Sequence, residues 1–150
     1  MHIWVDADAC PILVKEVLFK AARRVNCKMT FVANQPVSFP PFALFESILV
    51  PAGDDEADKE ILRLIQEGEL LISADIPLIA DVVAKGAFAI NPRGEFYSKE
   101  NAESILATRN FMEDLRSAGV ETGGPPAFSL KEKQAFANQL DKFLAKHRQK

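Results

Sequence analysis

The chain is poor in the residues that stabilise secreted proteins or anchor proteins in membranes. Its 150 residues include only two cysteines, Cys10 and Cys27, and two histidines. Two thiols without a Cys/His cluster exclude a disulfide-rich scaffold and the usual structural zinc sites. No run of about 18 apolar residues occurs, and the amino terminus lacks a basic stretch followed by an apolar one. We therefore expect a cytoplasmic protein without a membrane segment.

The composition is that of an ordinary globular domain. The chain is 48% hydrophobic with a net charge of -3. A chain of this length buries about two thirds of the surface that its unfolded form exposes, so we predict one domain over residues 1–150. Residues 131–150 carry six basic and two acidic side chains. A basic helix end is compatible with nucleic-acid contact, although a solvated helix surface is the commoner explanation.

Predicted strands and helices alternate along the chain. Short apolar runs predict strands at residues 2–7, 27–33, 47–52, 70–74 and 87–90. Helical periodicity and capping residues predict helices from Pro11, from Asp54 or Asp55, from Pro77, over 101–119, and from Ser129 onwards. This alternation predicts a three-layer α/β/α fold with a mainly parallel five-stranded central sheet, on which the C-terminal helices of residues 101–150 pack. The Pro- and Phe-rich segment 35–45 is expected to be irregular, and its residues 39–45 are expected to line the core rather than to form a partner surface.

Aspartates follow three of the predicted strands. Asp6 and Asp8 follow the first strand, Asp55 and Asp58 come after the third, and Asp75 ends the fourth. Parallel strands bring their carboxyl ends to one edge of the sheet, so these side chains should converge there. Converging carboxylates repel one another unless a cation neutralises them. Ligands that are all oxygen favour a hard ion such as Mg²⁺ or Mn²⁺.

Two of these acids are not explained by helix capping. Asp58 lies in line with Ile61 and the rest of its helix's apolar stripe, so its carboxylate should point inward. Asp8 and Asp75 can each be N-caps, but capping gives no reason for Asp6, which adjoins a buried strand. The residues predicted to be catalytic and metal-ligating are therefore Asp6, Asp8, Asp58 and Asp75, with Asp54 and Asp55 in support.

Three further residues are candidates for substrate binding at the same edge. Ser73, two positions before Asp75, can hydrogen-bond a carboxylate or a bound water, and the alternative is a structural serine. Asn91 and Arg93 lie in "NPRG" after the fifth strand, where Arg93 could hold a phosphate. The alternative for this pair is an ordinary surface turn. Cys10 is not expected to be a nucleophile, since neither histidine of the sequence is placed to be its base.

The Asp-x-Asp motif resembles that of the haloacid-dehalogenase phosphatases. That resemblance implies that Asp6 is a nucleophile and Asp8 an acid, and "GDDEAD" is similar to a later motif of those enzymes. Their Ser/Thr and Lys motifs must lie between the two acidic motifs. The 45 residues between Asp8 and Asp54 offer no convincing lysine after a strand, so this phosphatase remains an alternative.

Four longer stretches closely resemble the uncharacterised YaiI/YqxD family. They are "WVDADACP", "GDDEADKEI", residues 72–97 and residues 107–129. This family is regarded as related to the PIN-like nuclease superfamily, including its NYN branch. The resemblance implies a PIN-like fold in which acids after the first strand, early in a central helix and after the fourth strand hold Mg²⁺ or Mn²⁺ for phosphodiester cleavage. On this sequence those positions are Asp6 with Asp8, then Asp58, then Asp75.

The expected function is that of a metal-dependent nuclease whose partner and substrate is nucleic acid, with RNA as the expected type. One alternative is an inactive PIN-like module that binds RNA or a metal without turnover. The other is the phosphatase described above.

Overall fold

The computed structural model describes residues 1–53, 55–101, 103–104 and 129–147. Within these residues one sheet has six strands in the order β3-β2-β1-β4-β5-β6. The strands are β1 His2–Asp6, β2 Lys28–Ala33, β3 Phe45–Leu49, β4 Leu70–Ile72, β5 Phe88–Ile90 and β6 Phe96–Tyr97. The helices are α1 Ile12–Val25, α2 Glu56–Leu64, α3 Ile76–Ala84 and α4 Leu130–Lys146, and a 3-10 turn spans Ala7–Ala9. In these ranges no helix is both long enough and apolar enough to cross a bilayer.

The sheet is mainly parallel, as predicted, but it has one strand more. The five predicted strands pair in parallel, and β6 pairs antiparallel with β5. The sequence predicts no strand after β5, because β6 is only two residues long and too short for a periodic pattern. It also predicts the third strand at 47–52, whereas β3 begins at Phe45, whose ring lies in the core.

The two faces of the sheet are covered by different helices. Ile3 and Val5 point into a core formed with α1 and α4, whereas Trp4 points into a second core formed with α2 and α3. This alternation confirms the three-layer architecture. Residues of the Pro- and Phe-rich segment pack against the α1 side, where the Phe39 ring stacks on Phe31 at a centroid distance of 5.4 Å. Its predicted role in lining the core is therefore confirmed.

The strand order creates a crevice between β1 and β4. After β1 the chain builds β2 and β3 on one side, and it then returns to add β4 and β5 on the other. The helices leaving β1 and β4 therefore diverge to opposite faces of the sheet. In open α/β sheets this switch in direction is where ligands bind, beyond the carboxyl ends of the strands.

Side-chain caps mark the beginning of two helices, α3 and α4. The Asp75 carboxylate accepts a hydrogen bond of 3.0 Å from the backbone N–H of Leu78 and caps α3. Ser129 and Glu132 form the predicted capping box of α4. The predicted helix over 101–119, except residues 101 and 103–104, and the connection at 123–128 lie outside the described residues.

Candidate metal centre

Three aspartates meet beside the crevice between β1 and β4. Each of Asp55, Asp58 and Asp75 offers one carboxylate oxygen, and the three oxygens lie within 4.8 Å of one another. Asp55 immediately precedes α2, Asp58 lies in its first turn, and Asp75 immediately precedes α3. The three side chains border a cleft of about 320 Å³, which Lys59 also lines. A donor set of three carboxylates could hold a metal ion.

The backbone before α2 places Asp55 in this group. Asp55 and Asp58 are three residues apart, a spacing that puts both on one side of a helix. Asp55 has a φ of 65°, in the left-handed region that residues other than glycine rarely adopt. Its side chain makes no capping hydrogen bond. Its carboxylate lies instead beside those of Asp58 and Asp75. The sequence predicts only a supporting role for Asp55, although its spacing of three residues from Asp58 is the signal that groups the two.

The carboxylates in this group perturb one another. Burial, a hydrogen bond with Asp75 and the negative charges of Asp75, Asp6 and Asp55 raise the pKa of Asp58 to about 7. Lys59 lies nearby, but its ammonium group is 3.6 Å from Glu56. Without a metal, no cation neutralises these carboxylates fully, and Asp58 therefore retains a proton close to neutral pH.

Asp6 is linked through Ser73 to the backbone of Asp75. The Ser73 hydroxyl donates to Asp6 Oδ2 at 3.0 Å and accepts a hydrogen bond of 3.0 Å from the backbone N–H of Asp75. Asp6 is only 9% exposed. Burial raises the pKa of Asp6, and the hydrogen bond from Ser73 opposes that rise. Ser73 therefore contacts a carboxylate within the buried interior, whereas metal ligation by Asp6 and substrate binding by Ser73 stay predictions.

Asp8 points in a different direction. Its side chain is exposed, and its carboxylate accepts a hydrogen bond of 2.9 Å from the backbone N–H of Asn34, just after β2. Among the described residues the carboxylate group comprises only Asp55, Asp58 and Asp75, so ligation by Asp8 stays a prediction. Asp54, the other predicted supporting residue, lies outside the described residues.

Asn91 and Arg93 are engaged within the protein. The Asn91 side-chain oxygen accepts hydrogen bonds from the backbone N–H groups of Arg93 and Glu95, each at 3.0 Å, and its amide donates to the Glu95 carboxylate. The Arg93 guanidinium lies 3.5 Å from Glu132 at the start of α4. These contacts build the turn and attach it to α4, and Asn91 itself is buried. Substrate binding by either residue stays a prediction.

The Cys10 thiol is poorly suited to nucleophilic chemistry. Burial raises the pKa of Cys10 to about 12, so the reactive thiolate is scarce at neutral pH. This agrees with the sequence-based expectation.

Comparison with known proteins places the chain among relatives of the same length. An "UPF0178 protein" of Janthinobacterium sp. (strain Marseille) is 57% identical over 150 residues, which cover 100% of this chain and 99% of the relative. Proteins with the same name from Pseudoalteromonas atlantica and Herminiimonas arsenicoxydans are 58% and 55% identical, over 97% of this chain and 99% and 98% of theirs. No solved structure matches.

The match to a family model extends over nearly the whole chain. Residues 4–146 match the model described as "Uncharacterized BCR, YaiI/YqxD family". That range includes Asp6, Asp8, Asp58 and Asp75. The chain therefore belongs to the uncharacterised YaiI/YqxD family.

Proposed function

We propose that this protein is a metal-dependent nuclease that hydrolyses phosphodiester bonds in RNA. The observation that carries the proposal is the group of three carboxylate oxygens, from Asp55, Asp58 and Asp75, within 4.8 Å of one another at the switch in strand order. A PIN-like relationship is part of the proposal. It is supported by acids after β1, at the start of α2 and after β4, the arrangement that the sequence resemblance implies.

Asp55, Asp58 and Asp75 are the residues that would hold Mg²⁺ or Mn²⁺. When bound, such an ion lowers the pKa of a coordinated water and stabilises charge on the phosphate during cleavage. Asp6, held by the Ser73 hydroxyl, would orient the attacking water. Lys59 lines the same cleft and offers an ammonium group to the substrate backbone.

The environment of Asp6 favours this role over that of a phosphatase nucleophile. A nucleophilic carboxylate needs an oxygen that can reach the phosphorus atom of its substrate. Asp6 is nearly buried, and one of its oxygens accepts the Ser73 hydrogen bond. Such a carboxylate is better placed to orient a water molecule than to form a phospho-aspartate.

Comparing three substrates tests the proposal. Purified protein is incubated with structured RNA, single-stranded RNA and a phosphomonoester, each with Mn²⁺ and with a chelator. We expect RNA cleavage only with Mn²⁺. Asp58→Asn and Asp75→Asn should each lower its rate by about a hundredfold or more, because each removes a charged ligand. Glu60→Gln, which changes an acid paired with Arg63 on the same helix as Asp58, should retain the rate.

Two outcomes would overturn this assignment in favour of the alternatives. RNA that binds in the presence of Mn²⁺ but is never cut would indicate a binding module. Turnover of the phosphomonoester with a phosphoryl group on Asp6 would indicate a phosphatase.

A further inference from the structure

A second cleft opens at the same edge of the sheet, on the side of α1. Its volume is about 370 Å³, and it lies between the first two turns of α1 and residues 35–38, which follow β2. The lining includes apolar groups from Ile12, Phe19 and Val37 and polar groups from Gln35 and Ser38. Ligand pockets in proteins typically measure about 300–1,000 Å³, so this cleft suits a group about the size of one nucleoside.

Asp8 connects this cleft to the metal centre. It lines the cleft, and its carboxylate holds the backbone of Asn34, where the segment forming the opposite wall begins. In the other direction, Asp6 lies two residues before Asp8 and is linked through the Ser73 hydroxyl to the backbone N–H of Asp75. The cleft, Asp8, Asp6 and the metal centre therefore follow one another across the carboxyl ends of β1 and β4.

The charges and exposed groups of the cleft indicate which part of a nucleotide it would take. Besides Lys15, the charged residues of the lining are Asp8 and Glu16, and Glu16 lies 3.5 Å from the Lys133 ammonium. With Lys133 offsetting Glu16 and Lys15 offsetting Asp8, a phosphate would meet no excess of positive charge. Ile12 is 74% exposed, although so large an apolar side chain gains free energy when a ligand covers it. An uncharged, flat ring with polar edges matches this lining.

We propose that this cleft binds a nucleobase of single-stranded RNA, next to the phosphate held at the metal centre. The base lies against Ile12 and Phe19, and Gln35 and Ser38 offer hydrogen bonds to its edge. This inference rests on the proposed nuclease function and narrows its substrate to a single-stranded polymer. A small phosphodiester would need the metal centre without filling the cleft.

A matched pair of substitutions tests the cleft. Ile12 and Leu130 are the first residues of α1 and α4 and are 74% and 72% exposed. Leu130 is not among the residues that line the cleft. Aspartate is tolerated in the first turn of a helix, so Ile12→Asp and Leu130→Asp should both fold. They add the same charge at equivalent positions, but only Ile12→Asp places it where the base would bind.

Two substrates separate the cleft from the chemistry of the metal centre. A single-stranded RNA of about eight nucleotides spans both sites, whereas bis(p-nitrophenyl) phosphate is a diester that needs the metal centre alone. With Mn²⁺, Ile12→Asp should raise KM for the RNA about tenfold, as expected for the loss of one base contact. It should leave hydrolysis of the small diester unchanged, and Leu130→Asp should change neither.

A binding measurement distinguishes failure of the cleft from failure of the nuclease assignment. Fluorescence anisotropy of the labelled RNA is followed with Asp58→Asn protein, in which cleavage is expected to be lost, with and without Ile12→Asp. A Kd about ten times larger for the double variant than for Asp58→Asn alone supports the base site, even if no RNA is ever cleaved. Equal Kd values, or no detectable RNA binding, overturn the base site. If the unsubstituted protein with Mn²⁺ does not hydrolyse the small diester, that result would instead count against the nuclease assignment.

Discussion

At the scale of single residues, the sequence predicts the direction of the Asp58 side chain but not which other aspartates lie beside it. Its place on the apolar stripe of a helix predicted an inward carboxylate, and it lies half-buried against Asp75. The sequence could not tell whether Asp8 or Asp55 would join it. That depends on the left-handed backbone of Asp55 and on a hydrogen bond from Asn34, neither of which leaves a periodic pattern. Side-chain direction at a helix start is decided by such local contacts.

The raised pKa of Asp58 predicts how stability varies with pH in the metal-free protein. The ordinary value is 3.8, and the folded protein raises the pKa of Asp58 to about 7. Between these values the folded chain holds a proton that the unfolded chain has lost. The free energy of unfolding should therefore fall as the pH rises from about 4 to about 7, and stay low above that.

Asp58→Asn removes this contribution and provides the comparison. Urea unfolding in the presence of a chelator, at several values between about pH 4 and about pH 8, measures both proteins. The stability of the variant should depend less steeply on pH, although the raised pKa of Asp6 leaves part of the slope. Parallel profiles for the two proteins would show that Asp58 titrates normally.

At the scale of secondary-structure elements, the turn between β5 and β6 fastens α4 to the sheet. The Asn91 side chain closes the turn, and Gly94 has a φ of 90°. A Cβ atom at Gly94 would lie 2.7 Å from the carbonyl oxygen of Ala135 in α4. The close approach of turn and helix therefore requires glycine at this position.

Gly94→Ala should be markedly destabilising, and Gly68→Ala is its control. Gly68 has a similar φ of 85°, but a Cβ atom there meets nothing within 4 Å. Gly68→Ala should therefore cost about 1 kcal/mol for backbone strain alone. Gly94→Ala should cost roughly 2 kcal/mol more, because α4 must also move. Urea unfolding of both variants checks the difference, and equal losses would mean that the turn does not hold α4.

Turns and helix caps could be predicted from the sequence, whereas the strand β6 could not. "NPRG" is a recognisable turn signal, and both Ser129 and Asp75 were recognisable as helix caps because capping uses short-range hydrogen bonds. The strand β6 was missed because its two residues are held by pairing with β5 rather than by any pattern of their own. Local signals in the sequence therefore predicted local structure, and a strand defined by its partner was found only in the fold.

At the scale of the whole molecule, the candidate metal centre depends on segments that are far apart in the chain. β1 and β4 are neighbours in the sheet although Asp6 and Ser73 are 67 residues apart, and α2 carries Asp58 across to the same crevice. The alternation of strands and helices implied a parallel sheet and hence a shared edge for the acids. It did not give the strand order, which is what places the β1 and β4 acids side by side.

This assembly predicts that metal binding stabilises the entire fold. A ligand that binds only the folded state adds about 2.7 kcal/mol when its concentration is a hundred times Kd. For a chain of this size that corresponds to a rise in Tm of roughly 5–10 °C. Saturating Mn²⁺ should therefore raise the Tm of the unsubstituted protein in thermal unfolding followed by circular dichroism.

Asp75→Asn identifies the carboxylate group as the origin of this stabilisation. Asparagine caps helices about as well as aspartate, so α3 keeps the capping bond to Leu78 while the group loses one of its three charged ligands. The variant should fold, and its Tm should respond to Mn²⁺ much less than that of the unsubstituted protein. An equal rise in both proteins would place the bound ion elsewhere, because unfolding separates Asp75 from Asp55 and Asp58 and thereby destroys any site that they share.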